Sequence, residues 1–226
     1  MGFTIDQVVP WGRNLAEYQR MFTLTPEDLD RKTLGCGDGP ASVNAELSSL
    51  SKNYTSLDPI YQFSAQQIQE RIEATATIIE DQLTENKADY NWDYYQSPQQ
   101  LVQVRLKAMN RFLLDFELPK HSKRYIAAAL PDLPFDNHSF DLVLCSHLLF
   151  TYSDQLDEKF HQQSALEMCR VGTEVRIFPL LESNGKTSRH VDSVVDYLQQ
   201  HDVKAEVLSV DYEFQKGGNQ MLKLTP

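Results

Sequence analysis

The sequence predicts an α/β fold built on a doubly wound, mostly parallel sheet of seven strands that ends in an antiparallel hairpin. Short apolar runs alternate along the chain with segments whose apolar residues recur at helical spacing. A glycine-rich turn over residues 35–39 separates the first strand from the helix that follows it. The last two apolar runs flank Gly217-Gly218, which predicts the hairpin. We therefore expect a single domain over residues 1–226.

The composition limits the classes of binding partner and the cellular compartments that we expect for the protein. The formal net charge of -11 argues against nucleic acid and against a membrane surface, because both require clustered Lys and Arg. No apolar run approaches the roughly 20 residues that span a bilayer. Cys36, Cys145 and Cys169 form no CxxC pair, so neither disulfides nor a metal site is expected. These features together indicate a cytoplasmic protein with reduced thiols.

The first 30 residues predict a helical segment packed on the domain. Its apolar side chains fall at helical spacing from Leu15 to Phe22. Thr25 is expected to cap a second short helix that begins at Pro26, since proline is well tolerated in the first turn.

The glycine turn lies inside a predicted βαβ unit. The first strand is expected to end at 33–34, a helix to cover 40–50, and the second strand to cover Tyr54–Leu57. Parallel strands place their carboxyl ends at one edge of the sheet, where ligands bind. Gly37 and Asp58 should therefore face the same crevice.

A helical insertion follows strand two, over about 62–120. Capping motifs at Ser64 and Ser97 each precede a segment with one apolar helical face. A βαβ crossover needs only one helix before the next strand, predicted at 124–130, so the second helix is extra. The linker between the two helices carries Tyr90, Trp92, Tyr94 and Tyr95. These aromatic residues fit either internal packing or the wall of a substrate site.

The second half continues the alternation. Residues 141–146 form an apolar run that is typical of a central strand buried on both faces. The remaining predicted elements are a helix over 153–170, a strand over 174–178, a helix capped by Thr187, and hairpin strands over 204–214 and 220–225.

This order resembles the class I S-adenosylmethionine-dependent methyltransferases, of the bacterial small-molecule type. The residues that carry the resemblance are the glycine turn, the acid after strand two, and the run LPFDNHSFDLVLCSHLL at 133–149. The resemblance implies a Rossmann-like methyltransferase fold, the cofactor S-adenosylmethionine and methyl transfer to a small-molecule acceptor. The cofactor contacts that it implies are Gly35, Cys36, Gly37, Gly39, Asp58, Pro59, Asp132, Leu133 and Cys145, with Arg13 and Tyr18 from the N-terminal segment.

Two positions depart from the family pattern. Thr33 stands where the family usually has an acid that helps to hold the amino group of the cofactor, and Ala129 stands where an adenine-binding Asp is common. An alternative is therefore a catalytically silent relative that binds cofactor or a partner protein.

A nicotinamide dinucleotide is a second alternative for the ligand, because its binding motif is also glycine-rich and followed by an acid. That motif requires a third glycine at position 40, where this chain has Pro40. The residue at position 40 thus favours S-adenosylmethionine.

His147 is the candidate catalytic residue. It follows a buried strand at the mouth of the predicted crevice, and an imidazole titrates near neutral pH. The competing interpretation is a histidine satisfied by local hydrogen bonds. Cys145 fits a pocket wall better than a nucleophile, because nothing in its surroundings would lower the pKa of the thiol.

Overall fold

The computed structural model describes residues 9–118 and 123–226, so the start of the predicted N-terminal segment lies outside the described residues. Seven strands form one sheet in the order β3-β2-β1-β4-β5-β7-β6. The strands are β1 Thr33–Cys36, β2 Tyr54–Leu57, β3 Tyr125–Ile126, β4 Leu142–Ser146, β5 Val175–Phe178, β6 Lys204–Ser209 and β7 Gln220–Thr225.

Six α-helices accompany the sheet in the described residues. They are α1 Leu15–Met21, α2 Val43–Ser49, α3 Ala65–Glu85, α4 Pro98–Phe116, α5 Glu158–Val171 and α6 Val191–Gln199. The first five strands in the sheet order are parallel to one another, whereas β7 is antiparallel to both β5 and β6. The predicted fold class, a mostly parallel seven-stranded sheet closed by an antiparallel hairpin, is confirmed.

β1 is longer than the sequence pattern predicts. The expectation that it ends at Leu34 is wrong, because Gly35 and Cys36 also pair with β2 on one side and β4 on the other. The chain leaves the strand only at Gly37, whose φ of 68° lies in the left-handed region. The glycine turn therefore begins two residues later than expected.

Three predicted boundaries need correction for local reasons. The third strand is confined to Tyr125–Ile126, because the backbone folds back at an Ala129–Asp132 bridge. The helix predicted from 153 begins instead at Glu158, where the Asp157 side chain caps it. Thr187 caps no helix, since it pairs with Leu181 and α6 begins at Val191.

The helical insertion is present between β2 and β3. Ser64 and Ser97 accept hydrogen bonds from the backbone three residues on and start α3 and α4, as predicted. The linker between these helices packs on the loop that joins β6 to β7. Asn91 N donates to Phe214 O at 2.7 Å, Lys216 N donates to Asp89 O at 3.0 Å, and the rings of Tyr90 and Phe214 stack at 4.8 Å.

The same linker lines a cavity as well as packing internally. Tyr90 and Tyr95 are buried, and Tyr90 also lies on the cavity wall described below. Both interpretations of the aromatic residues therefore have structural support.

An ion pair inside the protein joins α1 to α4. Glu17 and Arg105 are almost fully buried, and the guanidinium of Arg105 donates to one carboxylate oxygen of Glu17. The hydroxyls of Tyr95 and Tyr212 donate to the other oxygen. Burial of a carboxylate alone would raise its pKa, but the charges of Arg105 and Arg13 outweigh burial and lower the pKa of Glu17.

We predict that Glu17→Gln lowers the free energy of unfolding by about 3–5 kcal/mol, because the substitution leaves the buried guanidinium of Arg105 without its counter-charge. Urea denaturation followed by circular dichroism at pH 7 measures this change. The matched control is Glu27→Gln at an exposed site in the same segment, for which we expect a change within about 0.5 kcal/mol. Equal losses in the two variants would contradict the structural role of the ion pair.

Candidate functional site

The candidate site lies at the carboxyl ends of β1, β2 and β4. The sheet order reverses direction between β1 and β4, because the chain first builds outward through β2 and β3 and then crosses back to β4. Loops at such a switch point diverge and leave a crevice above the strand ends, which is where α/β sheets bind ligands. The glycine turn, Asp58 and His147 all follow strands that end at this crevice.

Gly37 and Gly39 form the turn itself. Their φ angles of 68° and 54° are left-handed, a conformation that residues with a Cβ rarely adopt. A Cβ at Gly37 would lie 2.5 Å from Cδ2 of Leu148 on the opposite wall, so glycine keeps that space open.

Gly35 serves a different purpose from the other two. A Cβ at this position would lie 2.1 Å from Oδ2 of Asp38, so the missing side chain makes room for a carboxylate. The turn therefore folds the side chain of Asp38 back beneath its own backbone. Gly35 is buried in β1 and does not line the cavity.

Asp38 is the acidic residue that the sequence pattern failed to single out. Its carboxylate accepts hydrogen bonds from the hydroxyls of Tyr18 at 2.9 Å, Ser56 at 2.7 Å and Tyr54 at 3.3 Å. Burial raises the pKa of Asp38 to about 6, against the effect of these hydrogen bonds. Thr33, in contrast, is buried and its hydroxyl donates to the carbonyl of Arg31. A buried acid is thus present beneath the turn, five residues after the position where the family pattern has one.

Asp58 connects the end of β2 to the glycine turn. One carboxylate oxygen accepts from Gly39 N at 2.9 Å and the other accepts from Ile60 N at 2.8 Å. Burial raises the pKa of Asp58 to about 6. Gly37 and Asp58 line one cavity, as the parallel arrangement of their strands predicts.

The cavity has a volume of about 340 Å³ and continues from the glycine turn into the helical insertion. Its wall therefore combines the strand ends with residues of α3, α4 and the β6–β7 loop. The lining includes Trp11, Arg13, Tyr18, Gly37, Asp38, Gly39, Asp58, Pro59, Ile79, Leu83, Tyr90, Leu101, Arg105, Ser146, His147, Thr151 and Phe214.

Two of these residues come from the N-terminal segment that the resemblance singled out. Arg13 donates to the carbonyl oxygen of Trp11 at 3.2 Å, and Tyr18 donates to Asp38. Burial and the positive charge of Arg105 lower the pKa of Arg13. Asp38 and Asp58 form an acidic end of the cavity, whereas Arg13 and Arg105 form a basic end, with Tyr18 in electrostatic contact with both.

His147 lies beside the basic end. It adopts a left-handed φ of 53°, and its backbone N–H donates to the carbonyl oxygen of Phe178 at 2.7 Å. The ring nitrogen Nδ1 lies 2.9 Å from the hydroxyl oxygen of Ser146. Burial, followed by the charges of Arg13 and Arg105, holds the pKa of His147 well below its ordinary value. The imidazole is therefore neutral at pH 7.

Besides Gly35, four predicted cofactor contacts do not lie on the cavity wall. Cys36, Leu133 and Cys145 belong to the main hydrophobic core, and Asp132 is an exposed residue on a loop. Burial raises the pKa of the Cys145 thiol to about 12, so this side chain is an unreactive thiol. Pro59 does line the cavity. The roles of Cys36, Asp132, Leu133 and Cys145 toward a cofactor stay predictions.

The described residues contain neither a candidate metal-binding cluster nor a candidate membrane-spanning helix. Within residues 9–118 and 123–226, no group of three or more His, Cys, Asp or Glu side chains could hold a metal ion. In the same ranges, no helix is long and apolar enough to cross a membrane.

A comparison with known proteins finds a relative that is similar over almost the whole chain. The chain is 32% identical over 219 residues to the uncharacterized protein MJ0045 of Methanocaldococcus jannaschii, and the match covers 96% of each chain. The chain belongs to the MJ0045 family. No model of a known protein family matches the sequence.

Several solved structures are similar to this member of the MJ0045 family. Magnesium protoporphyrin IX methyltransferase of Synechocystis PCC 6803, with bound SAM, has 9% identity and a TM-score of 0.44, over 86% of this chain and 69% of that one. A putative S-adenosyl-L-methionine-dependent methyltransferase of Methanococcus maripaludis has 10% identity and a TM-score of 0.42, and the match covers 93% of this chain and 82% of that one. A possible histamine N-methyltransferase of Thermotoga maritima has 10% identity and a TM-score of 0.43, and the match covers 93% of this chain and 87% of that one.

We predict that Asp38→Asn changes how stability depends on pH. The folded-state pKa of about 6 exceeds the ordinary value of 3.8, so the wild-type protein loses stability as pH rises through this window. One pKa unit corresponds to about 1.4 kcal/mol, so Asp38 contributes a loss of about 3 kcal/mol over the whole window, of which about 2 kcal/mol falls between pH 4.5 and pH 7.5. The variant lacks this loss, while Asp58 titrates in both proteins. Urea unfolding at pH 4.5 and pH 7.5 tests the prediction, and a constant difference between the two proteins would contradict it.

Proposed function

We propose that this protein is an S-adenosylmethionine-dependent methyltransferase that acts on a small-molecule acceptor. The observation that carries the proposal is a single cavity that joins the glycine turn and Asp58 to His147 across the ends of three parallel strands. The resemblance of the turn and of residues 133–149 to class I methyltransferases supports the same assignment. The net charge of -11 and the aromatic walls favour a small acceptor over nucleic acid.

The residues at the acidic end fit the proposed cofactor. Each carboxylate oxygen of Asp58 has two lone pairs, and the backbone bonds to Gly39 and Ile60 use one on each oxygen. Asp58 can therefore still accept hydrogen bonds from two ribose hydroxyls. Asp38 places negative charge beneath the turn, where it would attract the positively charged methionine portion. When bound, the cofactor supplies an electrophilic methyl group.

The protein contributes to methyl transfer by aligning the acceptor with the cofactor and by accepting the proton that the acceptor loses. Alignment of two reactants lowers the barrier because their relative motion is already restricted. An acceptor that starts with an N–H or O–H loses one proton on methylation, and neutral His147 can accept a hydrogen bond from that group. Because the pKa of His147 is low, we assign it to orient the nucleophile and to take the proton only as the new bond forms.

We predict that Asp58→Ala weakens binding of S-adenosylhomocysteine by at least about tenfold. The variant loses charge-assisted hydrogen bonds, each of which contributes about 1.5–3 kcal/mol, and about 1.4 kcal/mol corresponds to a tenfold change in affinity. Isothermal titration calorimetry measures the dissociation constants. Asp196→Ala removes an exposed carboxylate from α6, outside the cavity, and should leave the affinity unchanged. The absence of any binding heat or thermal shift at millimolar ligand would refute the cofactor assignment.

We expect turnover on a natural acceptor to be detectable without knowing its identity. The protein is incubated with methyl-deuterated S-adenosylmethionine and the low-molecular-weight fraction of an extract of the cells that express it. Mass spectrometry should find a product heavier by the labelled methyl group, formed more slowly by His147→Ala. Tight binding of S-adenosylhomocysteine without any labelled product would favour the alternative, a silent member of the fold.

A further inference from the structure

The basic end of the cavity identifies the chemistry of the acceptor. Glu17 is the counter-charge there, and its carboxylate is fully engaged by Asn14 N, Arg105, Tyr95 and Tyr212. Both guanidiniums act electrostatically on this carboxylate, but among the described residues only that of Arg105 pairs with it. Among the described residues, the side chain of Arg13 makes no ion pair, and its guanidinium donates one hydrogen bond, to the carbonyl oxygen of Trp11. The basic end therefore carries one positive charge in excess.

Buried donors on the cavity wall also lack hydrogen-bond partners, and two of them belong to the guanidiniums of the basic end. Nε of Arg13, Nε of Arg105 and the hydroxyl of Thr151 are buried without a hydrogen-bond partner among the described residues, and all three residues line the cavity. A buried guanidinium and a buried hydroxyl are costly unless they are paired. A planar anion with several acceptor lone pairs would satisfy both the charge and the donors.

The walls next to the basic end are apolar. Ile79 and Leu83 of α3, Leu101 of α4, and the stacked rings of Tyr90 and Phe214 line this part of the cavity. Such walls bind hydrocarbon or aromatic surface, and stacked rings favour a flat partner. These side chains come from the insertion and from the β6–β7 loop, outside the βαβ unit that carries the glycine turn.

We propose that the acceptor is a small aromatic or aliphatic carboxylic acid, whose carboxylate binds Arg13 and Arg105 while its apolar body lies against the insertion. This inference rests on the proposed methyltransferase function and narrows its substrate class. The amino-acid carboxylate of the cofactor is the other possible source of the anion. The acceptor is favoured because Arg105 belongs to the insertion and the apolar walls belong to the insertion and the β6–β7 loop, whereas the cofactor is assigned to the acidic end.

The test uses calorimetry on the full chain, first with S-adenosylhomocysteine alone and then, at saturating S-adenosylhomocysteine, with matched neutral and anionic probes. The probes are phenylacetate against phenylacetamide, and indole-3-acetate against indole-3-acetamide. We expect each acid to bind at least about tenfold more tightly than its amide, since a charge-assisted hydrogen bond replaces a neutral one. Arg13→Gln should abolish this preference, and Arg13→Lys should retain part of it.

Control measurements distinguish an acceptor carboxylate from the cofactor carboxylate, and failure of this inference from failure of the proposed function. Arg111→Gln removes a guanidinium from the outer face of α4 and should leave the preference unchanged. The inference is overturned if no acid binds more tightly than its amide, or if Arg13→Gln weakens S-adenosylhomocysteine about tenfold and leaves the acid preference intact. Failure of S-adenosylhomocysteine to bind the wild-type protein would refute the proposed function instead, and the same probes would then be titrated into the protein alone to judge the acid preference.

Discussion

The buried ion pair between Glu17 and Arg105 is the constraint on which the candidate site depends. It joins a short N-terminal helix to a helix of the insertion, two segments separated by 88 positions in the chain. Both charges are removed from water, which is tolerated only because four donors surround the carboxylate. With α1 held in this position, Tyr18 reaches Asp38 and Arg13 reaches the cavity. The ion pair thus assembles a site from parts that are remote in sequence.

The charged side chains give the cavity an acidic end and a basic end. Asp38 and Asp58 lie where the glycine turn meets β2, and Arg13 and Arg105 lie where α1 meets the insertion. A cation and an anion that bind together would be drawn to opposite ends, which orients both without a large number of specific contacts. The neutral imidazole of His147 lies beside the basic end, so burial and then the charges of the two guanidiniums disfavour its protonation before the reaction.

The sequence predicted several elements correctly from local pattern, although it misplaced the starts of α5 and α6. Helix caps at Ser64 and Ser97, the second strand and the mostly parallel sheet follow from short-range periodicity and turn chemistry. The extension of β1 through Gly35 and Cys36 was missed, because pairing on both sides overrides the low strand propensity of glycine. The role of Asp38 was missed for a different reason. Its partners Tyr18, Tyr54 and Ser56 come from two other segments, and only the unoccupied space at Gly35 could have suggested a buried side chain.

The contact between the insertion linker and the β6–β7 loop bears on how the family can diverge. Backbone hydrogen bonds from Asn91 to Phe214 and from Lys216 to Asp89 fix the two loops in one register, and the Tyr90 and Phe214 rings close the same wall. A deletion or insertion in either loop alone would disrupt these hydrogen bonds and change the cavity wall. Lengths of these two loops should therefore have changed together during evolution, so that family members with a different linker carry a correspondingly different hairpin and a differently shaped cavity.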